Sequence, residues 1–416
     1  MTSIIIIADD LTGANDSAVQ LEKNGFSTIV KVWPDGVQDI NIYDKFDVLS
    51  INTDTRSLDT KKVYERIYSI TKELKNHNQI CIYKKIDSIL RGNPDSELDA
   101  VMDATGYKLA LVAPSFPANN RTLVEGILST ANLCINAFDL FAQGMKRPVE
   151  NIPLHLVREG TNILAKIITQ KQSNGTEVFV VDACTDEDLK IIKNAADIIV
   201  QPKILCGSAG LAMHLKNNPT GKTPQNRILP LKKDRVGGLI LLAIGSCSVE
   251  TSRQLNKVSD YYNLPIIKLE TELIRKGHER QIIETCVKKA AREVEKGNNI
   301  ILLSVDTLFK NNSWLEKDIL MNTEDSLRIV DTIGKTVKKL NDMYKLYAII
   351  SAGGDTSLQI CKALESSYIK LLDEIKPGIP LGTMLGGKGD SLLMVTKSGG
   401  FGDDDVLIQV IQYLKE

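Results

Sequence analysis

Residues 3–13 read SIIIIADDLTG and join a short β-branched run to an acidic loop. Four isoleucines followed by an alanine are typical of a strand that is buried on both faces, as the strands of parallel sheets are. Two aspartates follow where this strand ends, and a helical pattern from Ala14 to Asn24 comes after them. A strand, a short loop and a helix in this order predict the first unit of an α/β fold.

The same alternation of β-branched runs and helical patterns continues along the chain. The predicted strands are Ser3–Ala8, Thr28–Val32, Val48–Asn52, Gln79–Lys84, Leu109–Ala113 and Val178–Val181, followed by Gly237–Leu242, Asn299–Ser304 and Leu346–Ser351. A predicted helix at Asp404–Leu414 ends the second series. Such alternation predicts parallel βαβ units with helices on both faces of each sheet. The fold class is therefore α/β, with two α/β/α domains of mainly parallel sheets.

A change of composition divides the chain in two. At 416 residues it exceeds one ordinary hydrophobic core, so two or more domains are expected. Residues 217–235 are rich in proline, asparagine and charge, which predicts a linker. We therefore predict an N-terminal domain at residues 1–216 and a C-terminal domain at residues 236–416, with the active site in the cleft between them.

The composition argues against several classes of function. A formal net charge of −1 provides no global field that would attract nucleic acid or a membrane surface. No apolar stretch approaches the roughly 20 residues of a membrane helix, and the N-terminus lacks the basic region of a signal peptide. The seven cysteines are scattered without a C-x-x-C pair, which favours reduced thiols in the cytoplasm. The oligomeric state, including a homo-oligomer, stays open.

Charged and polar residues follow three predicted strands of the N-terminal domain, where ligands of open α/β sheets bind. They are Asp9 and Asp10, then Arg56, then Lys85, Asp87, Ser88, Arg91 and Gly92. Guanidinium groups pair with carboxylates, while aspartate and serine bind hydroxyl groups, so the set predicts a pocket for a small polyol acid. Either aspartate of the first loop could instead cap the helix that follows it. Lys84 and Lys85 should point to opposite faces of their strand, and we favour Lys85 as the one that reaches the site.

Two glycine-rich loops lie in the C-terminal half, at Gly353-Gly354-Asp355-Thr356 and at residues 397–402, which read KSGGFG. The first loop follows an apolar run and precedes a helical pattern, so its N–H groups could bind an anion. The alternative is an ordinary tight turn. No G-x-G-x-x-G motif follows a strand, so a dinucleotide site of the Rossmann type has no support.

The motifs that carry these residues occur in one order along the chain: IIADDLTGANDSA, DTRS, KKIDSILRGN, APSFPANNRT, GSAGLA, GSCSVETSRQL, SAGGDTSLQI, KPGIP and TKSGGFGDDD. Together they resemble the four-carbon acid sugar kinase family nearly end to end. The resemblance implies ATP-dependent phosphorylation of a small sugar acid such as threonate, erythronate or 3-oxo-tetronate. It also implies an N-terminal substrate domain and a C-terminal nucleotide domain, with ATP near Ser246, Ser248, Gly353, Gly354, Asp355, Thr356, Gly399 and Gly400.

Phosphoryl transfer needs donors around the phosphate, a metal ion and a group that accepts the hydroxyl proton. Under the resemblance, Lys397 adds a cation beside the phosphates, and Asp355 either holds Mg²⁺ or caps the helix that starts near Thr356. Asp10, Asp9 and Asp87 all stay candidates for the base. Transfer between two domains further predicts that they close about the linker when both ligands bind.

Two other functions stay open on sequence alone. A phosphohydrolase of a small phosphorylated sugar acid, of the haloacid dehalogenase type, needs two aspartates separated by one residue, whereas Asp9 and Asp10 are adjacent. A sugar-acid sensor would use the same pocket without catalysis, and no helix-turn-helix module or basic stripe accompanies it. Release of ADP that depends on a four-carbon acid would separate a kinase from both.

Overall fold

The computed structural model describes residues 4–34, 45–74, 81–131, 133–215, 238–309 and 323–416. The chain forms two compact units, Met1–Gln225 and Asn226–Glu416. The linker predicted at residues 217–235 lies outside the described residues, so the predicted domain boundaries and the predicted cleft stay predictions. No helix within the described ranges is long and apolar enough to cross a membrane.

The N-terminal unit is built from a parallel sheet, a small antiparallel sheet and the helices that connect their strands. Its strands are β1 Ile4–Ala8, β2 Thr28–Lys31, β3 Val48–Asn52, β4 Cys81–Lys85, β5 Ala110–Ala113, β6 Thr122–Val124, β7 Ile127–Ser129, β8 Cys134–Asn136, β9 Val149–Ile152, β10 Val178–Val181 and β11 Ile204–Gly207. Its helices are α1 Leu11–Lys23, α2 Thr60–Leu74, α3 Pro94–Thr105, α4 Ala137–Gly144, α5 Leu154–Arg158, α6 Thr161–Ser173, α7 Asp186–Ile198 and α8 Ala209–Ala212.

The parallel sheet has the strand order β2-β3-β1-β4-β11-β5-β10-β9, and each of these pairings is parallel. Strand β1 is buried along its whole length because helices cover both faces of the sheet. Ala8, Asn52 and Lys85 stand at the same level in neighbouring strands. The loops that follow β1, β3 and β4 therefore leave the sheet side by side.

The C-terminal unit contains a second, mixed sheet. Its strands are β12 Ile240–Ile244, β13 Ile266–Leu269, β14 Ile300–Val305, β15 Ala348–Ala352, β16 Tyr368–Lys376, β17 Ile379–Leu385 and β18 Leu393–Lys397. Its helices are α9 Val249–Tyr262, α10 Thr271–Arg275, α11 Glu279–Glu295, α12 Thr323–Tyr344, α13 Gly354–Ala363 and α14 Val406–Lys415. The strand order is β13-β14-β12-β15-β18-β17-β16, parallel as far as β18 and antiparallel for the last two pairings.

The ends of three central strands of this sheet are also in register. Ile244 aligns with Ala352, and Ala352 aligns with Lys397. Each strand is fully buried, and a polar or glycine-rich loop begins directly after it. Three candidate nucleotide-binding loops therefore lie next to one another at one edge of the sheet.

The predicted α/β class with mainly parallel sheets is confirmed. The strands predicted from sequence did not include the parallel strands β9, β11, β13 and β18, nor the antiparallel strands. Strands β6 to β8 have only three residues each, too few to show a period of two. Strands β16 and β17 form a hairpin around Pro377-Gly378. That proline and glycine pair is a turn signal, and it could have been used to predict the hairpin.

Candidate active-site loops

Five charged side chains from three strand ends form one ion-pair network in the N-terminal unit, which we call the strand-end cluster: Asp9, Asp10, Arg56, Asp87 and Arg91. Arg56 lies at its centre. Its Nε and Nη2 donate to the two carboxylate oxygens of Asp9 at 2.7 and 3.0 Å, and its Nη1 donates to Asp10 Oδ2 at 2.7 Å. These residues were expected from their positions after successive strands to share one rim, and the structure brings them into direct contact.

Asp10 also begins helix α1. Its Oδ1 accepts a hydrogen bond from the backbone N–H of Gly13 at 2.7 Å, which is the geometry of an N-cap. The capping alternative therefore holds for Asp10, and the helix starts at Leu11 instead of Ala14. Gly13 has to be small, since a Cβ atom there would lie 2.6 Å from Asp10 Oδ1 and 2.9 Å from Lys85 Nζ.

The third strand end contributes Asp87 and Arg91. Arg91 Nη2 lies 2.7 Å from Asp87 Oδ2, while Arg56 Nη2 lies 3.5 Å from the same oxygen. Asp87 and Ser88 are buried, whereas the Arg91 side chain is 55% exposed. Ser88 contacts the guanidinium group of Arg121. Arg91 is thus the cation of this cluster that is most accessible to a ligand.

Gly92 packs against the same cluster. Its φ of 86° is one that residues with a side chain rarely adopt. A Cβ atom at this position would lie 3.5 Å from the backbone of Arg56. That distance is an ordinary van der Waals contact, so glycine is favoured here by its backbone conformation and not by lack of space.

The three carboxylates of the cluster differ in proton affinity. Burial raises the pKa of Asp9, but the charge of Arg56 and its hydrogen bonds outweigh this, so that the pKa lies below its ordinary value. Burial also raises the pKa of Asp10, and the positive charge of Arg56 lowers it. The negative charge of the neighbouring Asp9 raises it further, so the pKa of Asp10 lies above its ordinary value. For Asp87 burial is overcome by the hydrogen bond from Arg91 and the charge on Arg56, which hold its pKa well below the usual range.

A second, buried network lies beside the cluster and was missed by the sequence analysis. Lys84 Nζ pairs with Glu97 Oε2 of α3 at 2.6 Å and donates to the carbonyl oxygen of Ile7 at 3.1 Å. Thr55 donates to Glu97 Oε1 at 2.6 Å. In sequence Glu97 resembles the ordinary acidic residue of a first helical turn, so no signal distinguished it.

Lys85 lies on the other side of β4, as predicted from the alternation of side chains along a strand. Its Nζ donates to the carbonyl oxygen of Ile86 at 2.8 Å, and its charge acts on both Asp10 and Asp87. The structure therefore places Lys85 at the strand-end cluster, while Lys84 is committed to Glu97. The contact of Lys85 with a ligand stays a prediction.

In the C-terminal unit, the loop after β15 turns directly into helix α13. Gly353 has a φ of 111° and occupies the N-cap position, and the helix begins at Gly354. The interpretation of Asp355 as the cap is therefore wrong, because Asp355 lies exposed inside the first turn. The N–H groups of this first turn point out of the helix end, an arrangement that binds phosphate groups.

The loops after β12 and β18 hold each other in place. Ser248 caps α9. Its hydroxyl group and that of Thr251 each donate to the carbonyl oxygen of Gly399 at 2.8 Å. A Cβ atom on Gly399 would lie only 2.4 Å from Ser246 Oγ, whereas one on Gly400 would meet nothing within 4 Å. The glycine at 399 is therefore needed for packing, and the exposed glycine at 400 is not.

Lys397 was predicted to stand beside the phosphates, and the structure places it differently. Its side chain is fully buried, and Nζ donates at 2.9 Å to each of the carbonyl oxygens of Ser398, Gly399 and Phe401. An ammonium group has three N–H donors, so all of them are used by its own loop. Lys397 therefore lies behind the loop, and it is not the exposed cation that was predicted.

The metal prediction rests on Asp355. Among the described residues no three His, Cys, Asp or Glu side chains converge as a metal site. Mg²⁺ at kinase sites, however, is usually bound by one or two carboxylates together with phosphate oxygens and water. The exposed carboxylate of Asp355, directly after the two glycines in the first turn of α13, fits that ligand set.

The two units match two families of domain. Residues 4–137 and 135–215 match the sugar-binding N-terminal domain family, and residues 241–407 match the nucleotide-binding C-terminal domain family. The chain is 27% identical to D-threonate kinase of Salmonella typhimurium, over 99% of this chain and 98% of that protein. It is 26% identical to D-erythronate kinase of Heliobacterium modesticaldum, over 100% and 97% of the two chains.

The fold is shared with solved structures. A crystal structure from Salmonella typhimurium LT2 superposes with a TM-score of 0.77 at 22% identity, and the match covers 99% of this chain and 100% of that one. The chain therefore belongs to the four-carbon acid sugar kinase family, with a sugar-binding N-terminal domain and a nucleotide-binding C-terminal domain.

Proposed function

We propose that the protein is an ATP-dependent kinase that phosphorylates a hydroxyl group of a four-carbon sugar acid. The observation that carries the proposal is the division of chemistry between the units. Carboxylates and guanidinium groups converge at the strand ends of the N-terminal unit, and glycine-rich amide loops converge at the strand ends of the C-terminal unit. An alcohol acceptor site and a phosphate site are the two parts such a kinase needs.

The acid is bound, in this proposal, by the strand-end cluster. Arg56 uses three nitrogen atoms on Asp9 and Asp10, and its side chain is 22% exposed. Arg91 makes one ion pair among the described residues, with Asp87, and is 55% exposed. Arg91 is therefore the guanidinium group that pairs with the substrate carboxylate. Ser88 and the aspartates bind the hydroxyl groups. Lys85 contributes a positive charge close to Asp10 and Asp87.

Asp10 is the residue that we assign as the general base. Its pKa is raised, whereas those of Asp9 and Asp87 are lowered, so Asp10 has the greatest affinity for a proton among the three. It accepts the proton of the acceptor hydroxyl while the oxygen forms a bond to the γ-phosphorus and the bond from that phosphorus to the ADP oxygen breaks. Asp9 stays ionised and holds Arg56 in place.

On the nucleotide side, the first turn of α13 at Gly354 and Thr356 and the loop at Gly399 and Gly400 offer N–H groups to the phosphates. The Gly353 N–H donates to the carbonyl oxygen of Lys397 at 3.0 Å, so Gly353 contributes the turn itself. Ser248 Oγ donates to the carbonyl oxygen of Gly399 at 2.8 Å, and Ser246 Oγ accepts from the backbone N–H of Ser248 at 3.3 Å, so both serines lie beside the second loop. Asp355 would hold Mg²⁺, which when bound neutralises the charge that develops on the phosphate oxygens.

The relatives named above are kinases of D-threonate and D-erythronate, and a further relative at 24% identity is the 3-oxo-tetronate kinase of Haemophilus influenzae. The substrate class that we propose therefore covers threonate, erythronate and 3-oxo-tetronate. The cytoplasm is the proposed location. All seven cysteines are free thiols, which is the usual state in that compartment.

A coupled assay for ADP tests the function directly. The purified protein with ATP and Mg²⁺ should release ADP when D-threonate, D-erythronate or 3-oxo-tetronate is present, and release little without an acid. Asp10→Asn serves as the inactive reference. Binding of an acid without ADP release would favour the sensor, and release of inorganic phosphate from a phosphorylated acid without ATP would favour the phosphohydrolase.

A further inference from the structure

The loop that follows β18 has an unusual orientation of its peptide groups. Lys397 Nζ binds the carbonyl oxygens of Ser398, Gly399 and Phe401. Gln254 Nε2, buried on α9, lies 3.1, 3.0 and 3.0 Å from the carbonyl oxygens of Phe401, Gly402 and Asp403. Five of the six carbonyl groups from Ser398 to Asp403 therefore face two buried donor groups.

This arrangement determines where the N–H groups point. In a trans peptide the C=O and the following N–H are opposed, and the described residues contain no cis peptide bond. Inward carbonyls at Ser398, Gly399 and Phe401 thus turn the N–H groups of Gly399, Gly400 and Gly402 outward. Within the described residues, none of these three N–H groups donates a hydrogen bond. Successive outward N–H groups form an anion-binding concavity.

We propose that Lys397 is a positioning residue of the nucleotide site: its buried ammonium group binds three loop carbonyls and so directs the amides of Gly399, Gly400 and Gly402 toward the phosphates of ATP. The inference rests on the proposed kinase function and deepens it. Lys397 acts through the backbone, and it does not contact the nucleotide itself.

The protonation state of Lys397 determines how many loop carbonyl groups its side chain can bind. Burial lowers its pKa to about 8, and Glu250 on α9 is the charged residue whose field opposes this. A neutral amine has two N–H donors for three carbonyl oxygens. ATP affinity should therefore be full below this pKa and should fall as the pH rises through about 8, because one carbonyl loses its partner and the loop loosens.

Calorimetric binding of Mg-ATP and of D-erythronate or D-threonate to the full-length protein tests the proposal. Lys397→Met should weaken ATP binding by about 10- to 100-fold, as expected for lost charged hydrogen bonds, and should leave the affinity for the acid unchanged. Lys397→Arg keeps a charge and its donors, so it should restore much of the affinity and remove the fall above neutral pH. Lys257→Met is the matched control, because Lys257 is half exposed and pairs with Asp405.

The outcomes separate this inference from the proposed function. If the unaltered protein releases ADP but Lys397→Met binds ATP equally well, the positioning role is rejected and the kinase stands. An equal loss of affinity for ATP and for the acid would mean a general structural role and also rejects it. If Lys397→Met does not fold, the unaltered protein decides: ATP affinity that stays flat between about pH 7 and about pH 9.5 overturns the proposal.

Discussion

Lys84 and Glu97 form an ion pair inside the N-terminal unit, with 2.6 Å between Nζ and Oε2 and side chains that are 0% and 1% exposed. Lys84 also binds the carbonyl oxygen of Ile7, one residue before the end of β1, and Glu97 accepts a hydrogen bond from Thr55. Thr55 in turn precedes Arg56. The pair thus connects two of the loops that carry the strand-end cluster.

Removing one partner of this pair should be costly. Glu97→Ala leaves a buried ammonium without its counter-ion, and we expect the free energy of unfolding to fall by about 3–5 kcal/mol in denaturant titrations. Glu187→Ala removes an exposed pair with Lys190 and should change it by less than about 0.5 kcal/mol. Replacing both buried partners, as Lys84→Met with Glu97→Leu, should recover part of the loss. Equal stability of Glu97→Ala and Glu187→Ala would contradict this account.

The acid limb of the pH profile should belong to Asp10. A base must be unprotonated, so kcat should fall as the pH drops through the pKa of Asp10, which lies above the ordinary value of 3.8. Asp10→Asn should lower kcat by about 100- to 10,000-fold. Asp87→Asn should keep the acid limb, because the pKa of Asp87 lies well below the usual range. An acid limb that survives in Asp10→Asn but disappears in Asp87→Asn would transfer the role to Asp87.

Arg91 should contribute to binding of the acid and not of ATP. Arg91→Ala removes a charged hydrogen-bond pair with the substrate carboxylate, worth about 1.5–3 kcal/mol, so KM for the sugar acid should rise by about 10- to 150-fold. KM for ATP should stay the same. Arg158→Ala is the matched control, because Arg158 is also half exposed and paired with an aspartate, Asp188. The test is steady-state kinetics with each substrate varied in turn. An equal rise in KM for the sugar acid and in KM for ATP would mean that Arg91 stabilises the fold instead.

The adjacent glycines Gly399 and Gly400 should respond differently to replacement by alanine, because only Gly399 packs against another side chain. Gly399→Ala brings a methyl group against Ser246 Oγ, so the Ser246 side chain or the loop must shift, and ATP binding should weaken with an intact affinity for the acid. Gly400→Ala fits without contact and should leave the melting temperature unchanged. Thermal melting and ATP titration of both variants test this. Normal ATP binding by Gly399→Ala would show that the loop does not take part in the site.

Much of this arrangement could be predicted from sequence because it depends on local features. Runs such as Ile4–Ala8 indicate buried strands, and the residues just after them lie at the edge of the sheet wherever that sheet is parallel. The convergence of Asp9, Arg56 and Asp87 follows from this rule alone. So does the placement of the Gly353 loop, since it follows the predicted strand Leu346–Ser351. The strand before the Gly399 loop, β18, was not among the predicted strands.

The partners of the individual side chains were decided only by the tertiary structure. Asp355 lies inside a helical turn because α13 starts at Gly354, and Lys397 points inward because its loop folds back over the strand end. Glu97 is indistinguishable in sequence from a solvated helix residue until α3 packs over Lys84. Strand register and packing set these distances. A hydrogen bond or an ion pair forms only if the distance between its atoms is right to within a few tenths of an ångström, and no local sequence pattern encodes that distance.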